Sequence, residues 1–233
     1  MIAEKVWTVL CDPTFWGYVS LLLTVAAYTC YLYDTFKRGA RPNILTWGAF
    51  GVFTAVGWRV QVERGAGPGG WAMEVTWASC FIISAASIWK QHQEKKKWWR
   101  FPRGDLKWVV SAFLVFGIYL AIYVFLRQYL AVAAIVATVA DIVSYEPTIK
   151  QGVRNPYQDS VRAFALNCVK FIPTLVALLI LRAFSLATAF YPIAILVMNA
   201  YVVWLLKHHR GLLENARSTR IEKADAIQNS RPT

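Results

Sequence analysis

Side chains that carry covalent chemistry are scarce in this sequence. The four cysteines stand singly, without the Cys or Cys/His spacing that holds zinc, so we expect them to be packing residues. The three histidines lie outside the long apolar segments, and the chain has no phosphate-binding loop or nucleophile–base pair. The sequence therefore predicts no catalytic residues, no metal site and no cofactor, and does not indicate an enzyme.

Acidic residues are also few: 13 Asp and Glu stand against 25 Lys and Arg, which gives a net charge of +12. The chain is nevertheless 57% hydrophobic and only 16% charged, with 11 Trp. A soluble domain of this length does not bury so much apolar surface, so we interpret the chain as an integral membrane protein. Its basic residues then suit membrane-surface loops, and we expect a lipid membrane rather than a nucleic acid as partner.

The apolar residues form segments close to the roughly 20 residues that a membrane-spanning helix needs. We predict an all-α integral membrane fold with seven transmembrane helices, at 15–36, 43–60, 71–91, 108–126, 129–148, 160–181 and 184–207. The N-terminus lacks the pattern of a removable signal peptide, so the first span is expected to direct insertion. Only the linker 90–107 and the tail 208–233 read as segments outside the membrane.

Most Lys and Arg residues fall on one side of the predicted spans. That side holds the connections after the first, third and fifth spans and the C-terminus, and it includes the linker "KQHQEKKKWWRFPRGDLK". Because basic loops stay in the cytoplasm, we predict a multi-pass protein with its N-terminus outside and its C-terminus cytoplasmic.

Two stretches of the sequence resemble each other at an offset of 113 residues. In "YDTFKRGARPNILT" and "SYEPTIKQGVRNPYQDS", an apolar helix ends in a basic turn with glycine, and the next helix starts just after a proline. The offset pairs Lys37 with Lys150 and Gly39 with Gly152. We therefore predict two parallel three-helix bundles, 15–91 and 129–207, joined by a linker helix at 108–126 and followed by the tail 208–233.

This 3+1+3 pattern, with a helix that ends "YEPTIKQGVRNPYQDS", resembles the PQ-loop superfamily of SWEET sugar transporters and lysosomal amino-acid exporters. The resemblance implies alternating access, with Pro147 as a hinge at the cytoplasmic end of the fifth helix. The family's Pro-Gln pair is Pro147-Thr148 here, and the matching position of the first repeat is Asp34, without a proline. Pro173 and Pro192 are expected to kink the sixth and seventh helices, because proline lacks the backbone donor.

Two ionisable residues lie near the middle of predicted spans, where a charge is costly. They are Asp141 in the fifth span and Lys170 in the sixth. Between two repeats they would face a substrate pocket near the midplane. The alternative is a buried ion pair that only locks the two helices together.

Three further polar residues complete the candidate substrate site. Asn167 lies one turn before Lys170, and by resemblance it occupies the place of a proton-coupling aspartate in the cystine exporters. Asn199 resembles the pocket asparagine of SWEET transporters, and its repeat partner is Ser84. Each could instead make only an interhelical hydrogen bond. Near the proposed pocket, four aromatic residues could stack on a ring-shaped ligand or serve in packing and lipid contacts: Trp47, Trp58, Tyr191 and Tyr201.

These features favour a small-solute membrane transporter without covalent chemistry, and Lys170 suits an anionic or zwitterionic solute. A ligand- or cargo-binding seven-helix receptor is the alternative. A retinal photoprotein fits less well, because its lysine would belong in the seventh span. A homo-oligomer stays open as well, since "WGAFG" at 47–51 offers small residues for close helix packing, within the bundle or between copies.

Overall fold

The computed structural model describes residues 2–94 and 106–229, and within these ranges the chain is helical with no β-strand. Short 3₁₀ turns at Gly67–Gly70, Arg127–Tyr129 and Pro156–Gln158 connect some of the helices. The helices are α1 (Ile2–Leu10), α2 (Pro13–Lys37), α3 (Ile44–Glu63), α4 (Trp71–Gln93), α5 (Leu106–Phe125), α6 (Leu130–Ser144), α7 (Glu146–Arg154), α8 (Val161–Val169), α9 (Phe171–Ile180) and α10 (Leu186–Asn229).

Local sequence signals account for the helix ends. Asp12 caps α2 by accepting a hydrogen bond from the Thr14 amide at 2.8 Å, and Pro13 opens the helix. At the other end Gly39 has φ +78°, which lets the Ala40 amide reach back to the Asp34 carbonyl at 3.0 Å. Asn43 and Ser160 cap α3 and α8 in the same way as Asp12.

The membrane-spanning character of the fold is carried by five stretches that are long and apolar enough to cross a bilayer. They are Pro13–Lys37, Gly67–Gln93, Arg127–Arg154, Val161–Ile180 and Leu186–Thr219, and a sixth stretch, Val110–Phe125, is apolar but shorter. Several long apolar helices of this kind make the chain a multi-pass membrane protein. Helix α3 falls outside this set, and it packs against α4, α5, α6 and α10, which shield it from lipid.

The helix contacts follow the same pattern in α2 to α4, which we call the first half, and in α6 to α10, which we call the second half. Helix α4 packs against both α2 and α3, and α10 packs against both α6 and the α8–α9 pair. Across the halves, α2 packs against α8 and α9, while α3 packs against α6. Helix α5 lies against α3 and α6. The first helix of each half thus meets the second helix of the other half.

The helices differ from the predicted spans in four places, although 127–154 and 161–180 each remain one apolar stretch long enough to cross a bilayer. The fifth span divides at Tyr145 into α6 and α7, and the sixth divides at Lys170 into α8 and α9. The segment 184–207 and much of the tail 208–233 form one helix, α10, to Asn229. Helix α1 precedes the first predicted span. Most of the predicted linker 90–107 and the last tail residues lie outside the described residues.

Candidate functional site

A small cavity lies between the two halves, at the middle of the bundle. Every residue that lines it is buried, and its free volume is about 20 Å³. That is room for about one water molecule. Of the predicted site residues, Asp141, Asn167, Lys170 and Asn199 line this cavity. Hydroxyl groups and rings from both halves complete it, among them Tyr28, Thr54, Thr76, Tyr145, Phe171 and Tyr191.

Lys170 is 1% exposed, and its ammonium group faces neutral groups of the first half. Nζ donates to Thr76 Oγ1 at 2.7 Å and to the Tyr28 hydroxyl at 3.4 Å. It also lies 4.8 Å from the centre of the Tyr28 ring and 4.9 Å from that of Phe171. These hydroxyls and ring faces stabilise a cation without neutralising it. Lys170 therefore points its amino group, a cation when protonated, towards the cavity.

Asp141 is 2% exposed and belongs to the second half. Its Oδ2 accepts a hydrogen bond from the Tyr191 hydroxyl at 2.8 Å, and that hydroxyl is 2.6 Å from Thr54 Oγ1. Asp141 Oδ1 is buried without a hydrogen-bond partner among the described residues. Because a buried carboxylate oxygen without a donor is costly, this oxygen is suited to accept a hydrogen bond from a molecule in the cavity.

The two amides differ in how far the protein satisfies them. Asn199 donates from Nδ2 to the Ile195 carbonyl at 2.7 Å, and its Oδ1 is 3.5 Å from the Tyr145 hydroxyl. Asn167 Oδ1, like Asp141 Oδ1, lacks a partner among the described residues. Asn199 is thus held by its own helix, whereas Asn167 leaves an acceptor at the cavity.

Asp141 and Lys170 do not form an ion pair. The ion pairs between described residues do not include them, and each makes its polar contacts with hydroxyl groups instead. Asp141 and Lys170 are therefore not in direct ion-pair contact in this conformation, although their charges interact across the cavity. The cavity has a donor at Lys170 and acceptor oxygens at Asp141 and Asn167.

Prolines explain why the chain breaks where it does. Pro147 has no N–H for the Val143 carbonyl, and the helix is interrupted at Tyr145, two residues earlier. Pro173 follows the break at Lys170 by three residues in the same way. Both breaks put a cavity-lining side chain at the interruption.

Pro192, by contrast, lies inside α10, and the helix continues through it without a break. A proline at this position leaves the Thr188 carbonyl without its helical donor. Gln61 from α3 supplies the missing donor, with Nε2 at 2.6 Å from that carbonyl. A side chain of the first half thus completes a helix of the second half.

Some predicted residues lie elsewhere. Ser84 donates to the Ile44 carbonyl at 2.6 Å and faces an apolar groove between α3, α4 and α5 instead of the cavity. Trp58 and Tyr201 do not line the cavity, whereas Trp47 and Tyr191 do. The small residues of "WGAFG" are used inside the bundle, since a Cβ at Gly51 would come within 2.9 Å of the Phe81 ring.

Sequence reasoning missed Tyr28, Thr54, Thr76 and Tyr145, which line the cavity. A signal for one of them was present. The offset of 113 residues that relates the two repeats maps Tyr28 onto Asp141. The hydroxyl residues carry no charge, so their depth in a span did not mark them.

The cavity is closed on the side of Arg38, Asp159 and Lys207, which we call the basic end. There Ser160 donates to Asp34 Oδ2, and Arg162 lies 2.6 Å from Asp34 Oδ1. The Tyr31 hydroxyl donates to Asp159 Oδ1 at 2.9 Å. These contacts join α2 of the first half to the turn before α8 in the second half.

Asp159 is a buried carboxyl at the basic end that the protein satisfies only in part. Its Oδ2 is buried without a hydrogen-bond partner among the described residues, and burial raises the pKa of this carboxyl to about 6. The Tyr31 hydroxyl and nearby Arg210 act in the opposite direction, to lower the pKa, but they do not outweigh the lost hydration. Arg210 donates to the backbone carbonyls of Pro156 and Asp159, both at 2.9 Å.

Neutral groups close the cavity on the opposite end, which holds the turn Gly67–Gly70. Ser20 of α2 donates to the Lys170 carbonyl at 2.9 Å and lies 2.6 Å from Thr174 Oγ1. The Gln61–Thr188 contact joins α3 to α10 at the same end. Both ends thus depend on hydrogen bonds between the two halves.

Comparison of the chain with protein families, curated proteins and solved structures finds no match.

Proposed function

We propose that this chain moves a small solute across a membrane by alternating access. In this proposal α2 to α4 and α6 to α10 form two three-helix bundles, with α6–α7 and α8–α9 counted as one span each, and α5 links them. The chain then has seven spans, its N-terminus outside and the basic end in the cytoplasm. The matching contact pattern of the two halves supports this arrangement, as does the resemblance to the PQ-loop superfamily.

The observation that carries the proposal is the central cavity, with its unneutralised cation and its two unpartnered acceptor oxygens. A cavity that served packing alone would be apolar or fully hydrogen-bonded. This cavity lies between two halves that are joined by one set of hydrogen bonds at the basic end and by a different set at the opposite end. A solute there would be released when one set of contacts opens.

The solute class follows from the unused hydrogen-bonding groups. Lys170 offers donors and positive charge, while Asp141 Oδ1 and Asn167 Oδ1 offer acceptors. A small zwitterion presents an anionic group and a cationic group, and so fits both regions. Since the free volume is about 20 Å³, the cavity must widen to admit such a solute. A retinal-sized chromophore or a protein cargo would need a much larger opening at this site than a small zwitterion does.

Uptake into proteoliposomes tests the proposal. Proteoliposomes that contain the purified protein are loaded with an unlabelled solute, and the uptake of labelled zwitterionic, anionic and neutral solutes by exchange is measured. The Lys170→Met and Asp141→Asn variants are measured in parallel. We expect exchange of a zwitterionic solute that both variants reduce at least tenfold, while Lys207→Met, the same change on an exposed lysine, leaves it intact. An exchange rate that neither cavity variant changes, or faster exchange of neutral solutes than of zwitterionic ones, would refute the assignment of this cavity as a zwitterion site.

The orientation is tested separately by labelling single cysteines in a background without the four native ones. Arg64→Cys and Arg154→Cys lie at exposed positions on opposite ends of the bundle. We expect an impermeant maleimide to label Arg64→Cys in intact cells and Arg154→Cys only after permeabilisation. The reverse pattern would invert the topology and leave the cavity argument untouched.

A further inference from the structure

Helix α1 stands apart from the bundle and has no role in the cavity. It runs over Ile2–Leu10 and makes its main contacts with α2. The elbow between them is fixed, because Trp16 Nε1 donates to the Leu10 carbonyl at 2.8 Å and the Asp12 amide donates to the Val9 carbonyl at 3.1 Å. Helix α1 is therefore held at a defined position beside the start of α2.

The two faces of α1 differ in polarity. At 100° per residue, Val6, Val9 and Leu10 fall on one side with Trp7 at its edge, and Glu4 and Thr8 fall on the other. The apolar side is uncovered: Val6 is 52% exposed, Trp7 69% and Val9 48%. An exposed apolar stripe of this kind typically marks a surface that contacts another protein or a membrane.

The position of α1 indicates what covers it. Helix α2 is one of the membrane-spanning stretches and begins at Pro13, three residues after α1 ends. Helix α1 therefore lies where that span leaves the bilayer. Phe15 continues the apolar surface of Val6 and Val9 into the start of α2. Aromatic residues at this level are typical of the membrane–water interface.

We infer that α1 lies in the membrane interface, with Val6, Trp7, Val9 and Leu10 in the boundary between acyl chains and headgroups and with Glu4 and Thr8 towards water. Short helices with one apolar and one polar face bind bilayers in this way. The helix then fixes the depth of the outer end of α2. This inference depends on the membrane-spanning character of α2 and not on the proposed transport.

Collision-accessibility measurements on nitroxide labels test the inference in the full chain. Single cysteines at Val6 and Thr8 are labelled in a background without the native cysteines, and the protein is placed in phosphatidylcholine nanodiscs. Arg64→Cys serves as the control, because Arg64 is exposed in the turn after α3 and lies outside the membrane-spanning stretches. Oxygen reports lipid exposure, and a water-soluble nickel complex reports aqueous exposure.

We expect the Val6 label to favour oxygen over nickel several-fold more than the Thr8 and Arg64 labels. A Val6 label as accessible to nickel as the Arg64 label would show that α1 stands in water. A Val6 label shielded from both reagents would show that protein covers it, either a second copy or another chain. Trp7→Cys gives a second site on the same face, so that a poorly folded Val6 variant does not leave the inference undecided.

Discussion

Removing the two charges of the cavity, singly and together, separates a solute site from a structural ion pair. Lys170→Met removes an ammonium group whose hydrogen-bond partners are neutral hydroxyls, and Thr76 keeps its own hydrogen bond to the Ala72 carbonyl at 2.6 Å. Asp141→Asn keeps an oxygen for the Tyr191 hydroxyl and removes the charge beside the unpartnered Oδ1. Both changes relieve a buried, unneutralised charge.

The sign of the stability change therefore decides between the two interpretations. If the charges formed a buried pair, each single variant would lose about 3–5 kcal/mol, because it would leave the other charge alone. With separate hydroxyl partners, we expect each single variant to gain about 1 kcal/mol or more. Because both residues line one cavity and their charges attract each other across it, the double variant should differ from the sum of the two by a coupling energy of about 0.5–3 kcal/mol, and neither single variant should melt lower than the parent chain.

Thermal unfolding in detergent, followed by intrinsic tryptophan fluorescence, measures these differences. For a chain of this size, 1 kcal/mol corresponds to about 2–4 °C in Tm. We expect both single variants to melt at a higher temperature than the parent chain and to lose solute exchange. The same buried charges that lower the stability of the folded state are those that would bind the solute. Single variants that melt lower, with recovery in the double variant, would refute this reasoning and restore the ion pair.

Three further changes test other parts of the structure. Because burial raises the pKa of Asp159 to about 6, the folded protein binds a proton there more tightly than the unfolded chain does, so the free energy of unfolding, and Tm with it, should fall as pH rises from about 4 to about 6, by at most roughly 1.4 kcal/mol per pH unit. Asp159→Asn should remove this contribution, and an unchanged pH profile in that variant would contradict it. Gln61→Leu should lower the free energy of unfolding by about 1–3 kcal/mol, because the Thr188 carbonyl loses its donor. Adding Pro192→Ala should restore most of that loss, because alanine supplies a backbone N–H to the same carbonyl. Equal losses with and without Pro192→Ala would show that the Gln61 contact is incidental. Pro147→Ala should close the break before α7 and slow solute exchange while binding, read as a ligand-induced Tm shift, persists; unchanged exchange rates would remove Pro147 as a hinge.

The sequence predicted the apolar helices well, because length and hydropathy follow directly from the thickness of the bilayer. The span predicted at 71–91 is α4, Trp71–Gln93, and the span predicted at 15–36 is α2, Pro13–Lys37. Helix α1 was not predicted, since nine residues are too few to cross a membrane and hydropathy at span length does not detect them. The prediction of α10 ended too early, because its last turns are polar and outside the apolar stretch.

The depth of Asp141 and Lys170 was readable from the sequence, but their partners were not. Periodicity places both residues inside spans, yet the direction of each side chain depends on how the two halves pack. Tyr191 and Thr54 hold Asp141 across that interface, and no spacing within one helix reports such a contact. The fate of Pro192 depended in the same way on Gln61, a residue 131 positions earlier in the chain.

The two closures of the cavity differ in chemistry, and this difference has a physical consequence. The basic end is held by charged contacts, among them Arg162 with Asp34 and the buried carboxyl of Asp159. The opposite end is held by neutral groups such as Ser20 and Thr174, together with an exposed ion pair between Glu63 and Arg127. Ionic strength and pH act on charged contacts and leave neutral hydrogen bonds almost unchanged, and they act least on exposed pairs that contribute little. A conformational equilibrium between the two closures would therefore respond more to the salt and pH on the side of the basic end than to conditions on the other side.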